Sequence, residues 1–223
     1  MKILYGIGTG PGDAELLTLK AVKTIERSDV IFAPNNKGKN MALDTAKEYV
    51  KDKRIVLIDF PMGAVTKKDY EEAARIINRE IPKDGQGAFL TIGDPMIYST
   101  FIYLMEEIER KSLGIQVNII PGIPSFVAAA AAAKLPLTVK GDNFLLCDEF
   151  NGDLLKNINS ISILKSLRGK EEILNKLEKE KFDYTYVRRI SLEEEGIMKD
   201  REKILSDRNY MSLILARKTK EEE

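Results

Sequence analysis

The chain has 223 residues, enough for one large domain or two small ones. Lysine and arginine together number 35, and so do aspartate and glutamate, so no overall charge favours binding to nucleic acid or to an acidic membrane. The sequence contains no histidine, which excludes Ser-His-Asp triads and zinc sites built on histidine. The single cysteine, Cys147, excludes an intramolecular disulfide and suits a reducing compartment. Because its neighbours are apolar, we expect a buried structural thiol rather than a nucleophile.

No targeting or membrane segment is predicted. The first residues lead directly into a short apolar segment and a glycine loop, which is not the pattern of a signal peptide. The longest alanine-rich stretch, residues 126–133, is too short to span a bilayer. We therefore expect a cytoplasmic protein with no membrane partner.

Short apolar segments alternate with longer amphipathic ones in the first half of the chain. This alternation predicts an α/β fold with a mostly parallel sheet and right-handed crossovers. The predicted strands cover residues 3–5, 30–33, 55–58 and 88–91. The predicted helices cover residues 14–27, 41–50, 68–80 and 99–111. The Lys-Ser-Leu-Gly sequence at 111–114 breaks the pattern, so we expect one α/β domain at 1–113 and a second at 114–223.

The second half is predicted in the same way. Its strands are expected at residues 116–120, 143–147, 160–164, 183–187 and 211–217. Its helices are expected at 126–134 and 170–181. The charge-dense stretch 188–203 is expected to be a solvated hairpin or loop.

Three turns rich in glycine and proline each follow a predicted strand. Their sequences are Gly-Ile-Gly-Thr-Gly-Pro-Gly-Asp at 6–13, Gly-Asp-Pro at 93–95 and Pro-Gly-Ile-Pro-Ser at 121–125. Open α/β sheets bind ligands at the carboxyl ends of their strands, and glycine lets a ligand or a second segment approach the backbone closely. We therefore expect the three turns to come together around one ligand. An ordinary strand-to-helix turn is the alternative for 93–95, because Gly, Asp and Pro all favour turns.

The first of these turns matches neither of two common nucleotide-binding motifs. A dinucleotide fingerprint needs glycine at its first, third and sixth places, and Pro11 occupies the sixth. A phosphate-binding loop needs Gly-Lys-Ser/Thr, which does not follow here. Asp13 stands where the N-cap of the next helix is expected.

In their order and separation, the three turns resemble those of the tetrapyrrole methylase family of S-adenosylmethionine-dependent enzymes. The resemblance extends from residue 6 to residue 215. Within the family, segments 12–21, 93–100 and 121–126 are most similar to the enzymes that methylate C20 of precorrin-2 or cobalt-precorrin-2 in cobalamin biosynthesis. The resemblance implies two α/β domains, S-adenosyl-L-methionine as cofactor in the cleft between them, and a homodimer.

The resemblance also implies which residues bind the cofactor. Backbone groups and one carboxylate at the Gly-Asp turn hold it in such enzymes, and both domains contribute contacts. Relatives commonly carry threonine where this chain has Pro124, so a hydroxyl contact there is replaced by a backbone contact or one from Ser125. The implied cofactor-binding residues are Pro11, Ile92, Gly93, Asp94, Ile97, Pro124, Ser125 and Leu164.

Methyl transfer from a sulfonium depends on positioning and a dry pocket more than on acid–base residues, which suits a chain without histidine. We assign no catalytic residue; Asp94, Tyr98 and Tyr210 are candidates to assist proton loss from the methylated carbon. A substrate with several carboxylates needs cationic side chains nearby. For each pair of candidate cations, Lys37 with Lys39 and Arg188 with Arg189, ordinary surface charge is the alternative explanation. No protein metal site is expected. The candidate substrate-binding residues are Lys37, Lys39, Tyr98, Arg188 and Arg189.

Two other functions stay open. The first is another methyltransferase of the same fold, acting at a different tetrapyrrole position, as a diphthine synthase, or on RNA. The neutral charge balance argues against RNA, and the Ser-Thr pair at 99–100 with Phe126 argues against the others. The second, from a different class, is a non-catalytic protein that binds S-adenosylmethionine without turnover.

Overall fold

The computed structural model describes residues 1–35, 40–61 and 65–219. It contains two compact α/β units, Met1–Pro124 and Ser125–Glu223, each built on a five-stranded sheet. The division falls after Pro124, later than the position expected after Leu113. The reason is that the strand at 115–120 pairs with the first strand of the chain and so belongs to the first unit.

The sheet of the first unit is parallel throughout. Its strands are β1 (Lys2–Gly8), β2 (Val30–Pro34), β3 (Arg54–Ile58), β4 (Gln86–Thr91) and β5 (Ile115–Ile120). They lie in the order β3-β2-β4-β1-β5, and each neighbouring pair runs in the same direction. The predicted parallel sheet is therefore confirmed.

Helices connect these strands, and two predicted helices are divided. The helices are α1 (Leu19–Arg27), α2 (Met41–Thr45), α3 (Lys47–Val50), α4 (Lys67–Glu80) and α5 (Thr100–Arg110). Asp13 caps a short 3₁₀ turn, Ala14–Leu16, by accepting from the N–H of Glu15, and this confirms it as an N-cap. Thr18 is extended and caps α1, so the segment predicted as one helix from 14 to 27 contains two capped starts. The segment 41–50 divides in the same way at Ala46.

The first unit has apolar side chains packed on both faces of its sheet. Phe89 of β4 belongs to one cluster, in which its ring centroid lies 5.6 Å from that of Phe101 on α5. Its neighbours Ala88 and Leu90 belong to the other cluster, which includes Ile25 of α1. Successive residues of a strand point to opposite faces, so β4 is buried on both sides and holds the turn that follows it in place.

The sheet of the second unit is mixed. Its strands are β6 (Phe144–Cys147), β7 (Ser160–Leu164), β8 (Phe182–Arg188), β9 (Gly196–Met198) and β10 (Ser212–Lys218). They lie in the order β6-β7-β10-β8-β9; β6 and β7 are parallel, and the remaining pairs are antiparallel. The helices are α6 (Ser125–Ala132), α7 (Lys170–Lys179) and α8 (Arg201–Ser206).

The stretch 188–203, expected to be a hairpin or loop, contains more structure than predicted. Strand β9 pairs with the end of β8, and Asp200 caps α8 by accepting from the N–H of Lys203 at 2.9 Å. Strand β9 has three residues and helix α8 has six. Both are too short for apolar residues to recur with the period of a strand or a helix. Because charged residues surround β9 and α8, the sequence pattern did not indicate either element.

Candidate functional site

The first two glycine turns are hydrogen-bonded to each other. They follow β1 and β4, which are neighbours in the parallel sheet and so end at the same edge. Gly10 and Gly93 form an antiparallel bridge, with the N–H of Gly10 3.2 Å from the oxygen of Gly93 and the N–H of Gly93 2.7 Å from the oxygen of Gly10. Two turns that are far apart in the sequence are thus joined by backbone hydrogen bonds.

The third turn joins them from β5, on the other side of β1. The N–H of Gly122 donates to Oδ2 of Asp94 at 3.0 Å. A Cβ atom added to Gly122 would lie 2.1 Å from the carbonyl oxygen of Gly93 and 2.7 Å from the carbonyl carbon of Gly8. A residue with a Cβ atom does not fit at 122 without a backbone shift. The predicted meeting of the three turns is therefore confirmed, and we call this structure the glycine junction.

Asp94 contributes to the glycine junction with both oxygens of its carboxylate. Oδ1 accepts from the N–H of Met96 at 2.8 Å, within its own turn, while Oδ2 reaches Gly122. The carboxylate therefore orders the turn in addition to any contact with a ligand. Its expected contact with the cofactor stays a prediction.

Three hydroxyl-bearing residues next to the turn were given no structural role from the sequence. Thr9 is fully buried, and both its N–H and its Oγ1 donate to the carbonyl of Thr91, at 2.8 Å and 3.1 Å. Oγ1 of Thr91 lies 3.3 Å from Oγ of Ser99, which in turn accepts from the N–H of Phe101 and caps α5. The available signal was the position of Ser99, directly before a helical pattern.

A cavity of about 210 Å³ lies beside this turn in the first unit. We call it the first-unit cavity. It is bounded by the end of β4, the residues that follow it and the beginning of α2. Among the residues that line it are Asn40, Thr91, Ile92, Ile97, Tyr98 and Ser99. The structure therefore brings Ile92, Ile97 and Tyr98 to one cavity.

The remaining predicted residues of this unit have different placements. Pro11 is buried and follows Gly10 directly, next to the bridge with Gly93. The Cα atom of Pro124 lies 4.0 Å from the position that a Cβ of Gly93 would occupy. Lys37 and Lys39 lie outside the described residues.

Leu164 lines a different cavity, which belongs to the second unit. It is the last residue of β7, and the cavity has a volume of about 660 Å³. Tyr210, which is 66% exposed, lines the same cavity, as does Lys165, whose Nζ lies 3.3 Å from a carboxylate oxygen of Asp148. Ser125 is the first residue of the second unit and begins α6. Their roles in cofactor binding stay predictions.

Arg188 and Arg189 both have partners within the second unit. Nη1 of Arg188 donates to Oδ2 of Asp207 at 2.7 Å, and Nε of Arg189 donates to the carbonyl of Glu193 at 2.6 Å. A substrate carboxylate that bound Arg188 would either displace Asp207 or bind beside it. Substrate binding by the two arginines stays a prediction.

Asp207 is the centre of a buried polar cluster that the sequence analysis did not identify. It accepts from the hydroxyl of Tyr186 and from the N–H of Asn209, each at 2.8 Å. Burial alone would raise the pKa of Asp207, but the hydrogen bonds from Asn209, Tyr186 and Arg188 outweigh burial and lower that pKa. Burial also raises the pKa of Tyr186 to about 12. The cluster therefore contains a charged carboxylate and a neutral phenol.

Cys147 has the character of a structural thiol. It is half-buried at the end of β6, and burial, with a contribution from Asp148, raises its pKa to about 11. A thiolate is the reactive form of cysteine, so the predicted lack of nucleophilic character agrees with this environment.

The described ranges contain neither a membrane-spanning helix nor a metal-binding cluster. Across residues 1–35, 40–61 and 65–219, the longest helices are too short or too polar to cross a bilayer. Within the same ranges, we found no grouping of three acidic, cysteine or histidine residues arranged to bind a metal ion.

Sequence comparison identifies relatives across almost the whole chain. The family model "Tetrapyrrole (Corrin/Porphyrin) Methylases" matches residues 3–205. A protein of Methanocaldococcus jannaschii named "Probable cobalt-precorrin-2 C(20)-methyltransferase" is 36% identical over 206 residues, covering 89% of this chain and 87% of that protein. The cobalt-precorrin-2 C(20)-methyltransferase of Salmonella typhimurium is 34% identical over 143 residues, covering 61% of this chain and 59% of that protein.

Solved structures share the fold at lower identity. The X-ray structure of a cobalt precorrin-4 methyltransferase has a TM-score of 0.75 and 20% identity, covering 96% of this chain and 94% of that one. The uroporphyrin-III C-methyl transferase of Thermus thermophilus, solved in complex with S-adenyl homocysteine, has a TM-score of 0.68 and 21% identity, covering 96% of each chain. Because the family model spans most of the sequence and the fold agrees over nearly all of it, the chain belongs to the tetrapyrrole (corrin/porphyrin) methylase family.

Proposed function

We propose that this chain is an S-adenosyl-L-methionine-dependent methyltransferase that methylates C20 of cobalt-precorrin-2 in cobalamin biosynthesis. The observation that carries the proposal is the Methanocaldococcus jannaschii relative, 36% identical across 89% of this chain. The Salmonella typhimurium relative, which is 34% identical, is named for the same activity. The precorrin-2 C(20)-methyltransferase of a Sinorhizobium species is 30% identical, and this order favours the cobalt-loaded substrate over the metal-free one.

The glycine junction fits S-adenosyl-L-methionine as the methyl donor. Gly93 has a φ of +71°. If a Cβ atom were added to it, one atom of the described residues would lie within 4 Å, the Cα of Pro124 at 4.0 Å. A ligand therefore has room to lie against the backbone there. Asp94 supplies a negative charge suited to a cationic donor, and Ile92 and Ile97 supply apolar contacts. We propose that the donor is held by Pro11, Ile92, Gly93, Asp94, Ile97, Pro124, Ser125 and Leu164.

The chain contributes positioning rather than acid–base chemistry. When bound, S-adenosyl-L-methionine supplies a methyl group whose bond to sulfur breaks with the electron pair left on sulfur, while C20 of the substrate forms a carbon–carbon bond and then loses its proton. Turns fixed by backbone hydrogen bonds hold a ligand without reorganising. Apolar side chains such as Ile92 and Ile97 exclude water, which favours loss of the sulfonium charge. These roles need no histidine.

We further propose a cytoplasmic homodimer that acts on a small molecule and binds no nucleic acid. The equal numbers of basic and acidic residues, 35 each, support the absence of a nucleic-acid partner. The single cysteine supports a reducing compartment. The homodimer is supported only by the resemblance to the family, and sedimentation velocity tests it.

A methyl-transfer assay tests the proposed activity. The purified protein is incubated with radiolabelled S-adenosylmethionine and either precorrin-2 or cobalt-precorrin-2, without oxygen. We expect label to enter cobalt-precorrin-2, with one methyl group added by mass spectrometry and its position at C20 fixed by NMR. Methylation at another ring position, or binding of the donor without transfer, would favour the alternatives over this proposal.

A matched pair of variants tests the site. Asp94→Asn removes the charge at the glycine junction, and Asp84→Asn makes the same change at an exposed residue before β4, at the opposite end of the strand. We expect Asp94→Asn to weaken donor binding by about tenfold or more, since hydrogen bonds to charged groups are the strong ones. Asp84→Asn should bind like the wild type. Equal affinity of the two variants in calorimetry would move the donor site elsewhere.

A further inference from the structure

We propose that Tyr98 is a substrate-binding residue whose ring packs against the tetrapyrrole, and that a strained backbone holds the ring at the first-unit cavity. The inference rests on the proposed function, because it takes the occupant beside the ring to be the flat, conjugated substrate. It adds to that function a physical role for one side chain. It also predicts that stability and substrate affinity respond differently to the same substitution.

The backbone of Tyr98 adopts a conformation that aromatic residues avoid. Its φ is +47°, in the left-handed region. Nine described residues other than glycine have positive φ. Tyr98 is the aromatic one among them, and the other eight are polar or charged. Strain of this kind persists where the surroundings determine the conformation, and it concentrates at functional sites.

Hydrogen bonds hold the chain on both sides of Tyr98. Before it, the carboxylate of Asp94 accepts from the N–H of Met96 at 2.8 Å. After it, Ser99 caps α5 through the N–H of Phe101 at 3.1 Å and contacts Thr91, at the end of β4. The chain is thus fixed two residues before Tyr98 and one residue after it. The positive φ lies between these fixed points.

Core packing does not account for the strain. The Tyr98 residue is 47% exposed, so its ring is not buried in the hydrophobic core. It lines the first-unit cavity together with Ile92 and Ile97, on the same turn as Gly93 and Asp94. A partly exposed aromatic side chain at a cavity is suited to packing against a conjugated macrocycle. The strained conformation therefore places a contact surface next to the proposed methyl donor.

Three variants separate this role from a structural one. Tyr98→Gly removes the ring and relieves the positive φ, and Tyr98→Phe keeps the ring without the hydroxyl. Ser112→Gly relieves a φ of +49° at an exposed residue after α5, and serves as the matched control. Binding of cobalt-precorrin-2 is measured by anaerobic equilibrium dialysis, donor binding by calorimetry, and stability by thermal unfolding.

We expect Tyr98→Gly to weaken tetrapyrrole binding by about tenfold, with donor affinity unchanged and a melting temperature within about 3 °C of the wild type. Tyr98→Phe and Ser112→Gly should bind the tetrapyrrole like the wild type. Wild-type binding by Tyr98→Gly, a loss by Tyr98→Phe as large as that of Tyr98→Gly, or a large fall in melting temperature for Tyr98→Gly would each overturn the inference. A wild-type protein that binds cobalt-precorrin-2 without methylating it would overturn the proposed function alone, and one that does not bind it would overturn both.

Discussion

Replacing Gly122 by alanine tests whether the three turns touch through their backbones. The new methyl group would lie 2.1 Å from the carbonyl oxygen of Gly93 and 2.7 Å from the carbonyl carbon of Gly8. Both are backbone atoms, and Gly93 is held in its bridge with Gly10, so the turns must separate. Overpacking of this kind costs about 1–3 kcal/mol. Weakening the hydrogen bond from Gly122 to the carboxylate of Asp94 adds about 1.5–3 kcal/mol.

Together these effects predict a loss of about 2.5–6 kcal/mol from a total stability of roughly 5–15 kcal/mol. The melting temperature measured by calorimetry should fall by roughly 5–24 °C, and affinity for S-adenosylmethionine should fall with it. Gly152→Ala is the control, because the atom that its methyl would meet is Cδ of Lys176, at 3.1 Å, on a flexible side chain. Its stability should change by less than about 1 kcal/mol. A Gly122→Ala protein with the melting temperature and donor affinity of the wild type would refute the reasoning.

Three further predictions concern single residues. Because hydrogen bonds lower the pKa of Asp207, its charge stabilises the fold above the ordinary pKa of about 3.9 and this contribution is lost as the pH falls through the folded value; the difference in unfolding free energy between wild type and Asp207→Asn, measured with urea, should therefore shrink from pH 7 to pH 3, and a constant difference would contradict this. The pKa of Cys147, raised to about 11, predicts alkylation by iodoacetamide at pH 8 about a hundredfold slower than that of an ordinary cysteine, and the ordinary rate would argue against burial of the thiol. Thr18→Ala removes the cap of α1 at Ala21 and should cost about 1 kcal/mol of stability without changing methyl transfer; a selective loss of activity would show that this cap affects the site.

The glycine junction could be predicted from the sequence because turn chemistry and sheet topology point to the same place. Glycine and proline end a strand, and parallel strands end at one edge of a sheet. These two rules were enough to expect that the turns at 6–13, 93–95 and 121–125 meet. The bridge between Gly10 and Gly93 and the contact of Gly122 with Asp94 confirm it. The nine strands that were predicted all exist, each within two residues of the predicted ends except for the extension of β1 to Gly8.

What could not be predicted depends on contacts between distant segments. Nothing in the residues around Asp94 indicates that its carboxylate reaches Gly122 as well as Met96. The pair of Arg188 and Asp207 requires the chain to return after α8, and α8 itself was hidden in a charged stretch. The antiparallel pairing of β10 in the second sheet was missed for a related reason: periodicity identifies a strand but not its neighbours.

Because the junction is made of main-chain atoms, its geometry places few demands on the side chains around it. Evolutionary drift can therefore change the surrounding residues widely, provided that the closest approaches remain glycine. A solved relative with 20% identity and a TM-score of 0.75 illustrates how much divergence the architecture tolerates. For protein engineers, the implication is that enlarging the space at the junction would require moving the strand ends, because Gly8 and Gly122 have no side chain that could be shortened.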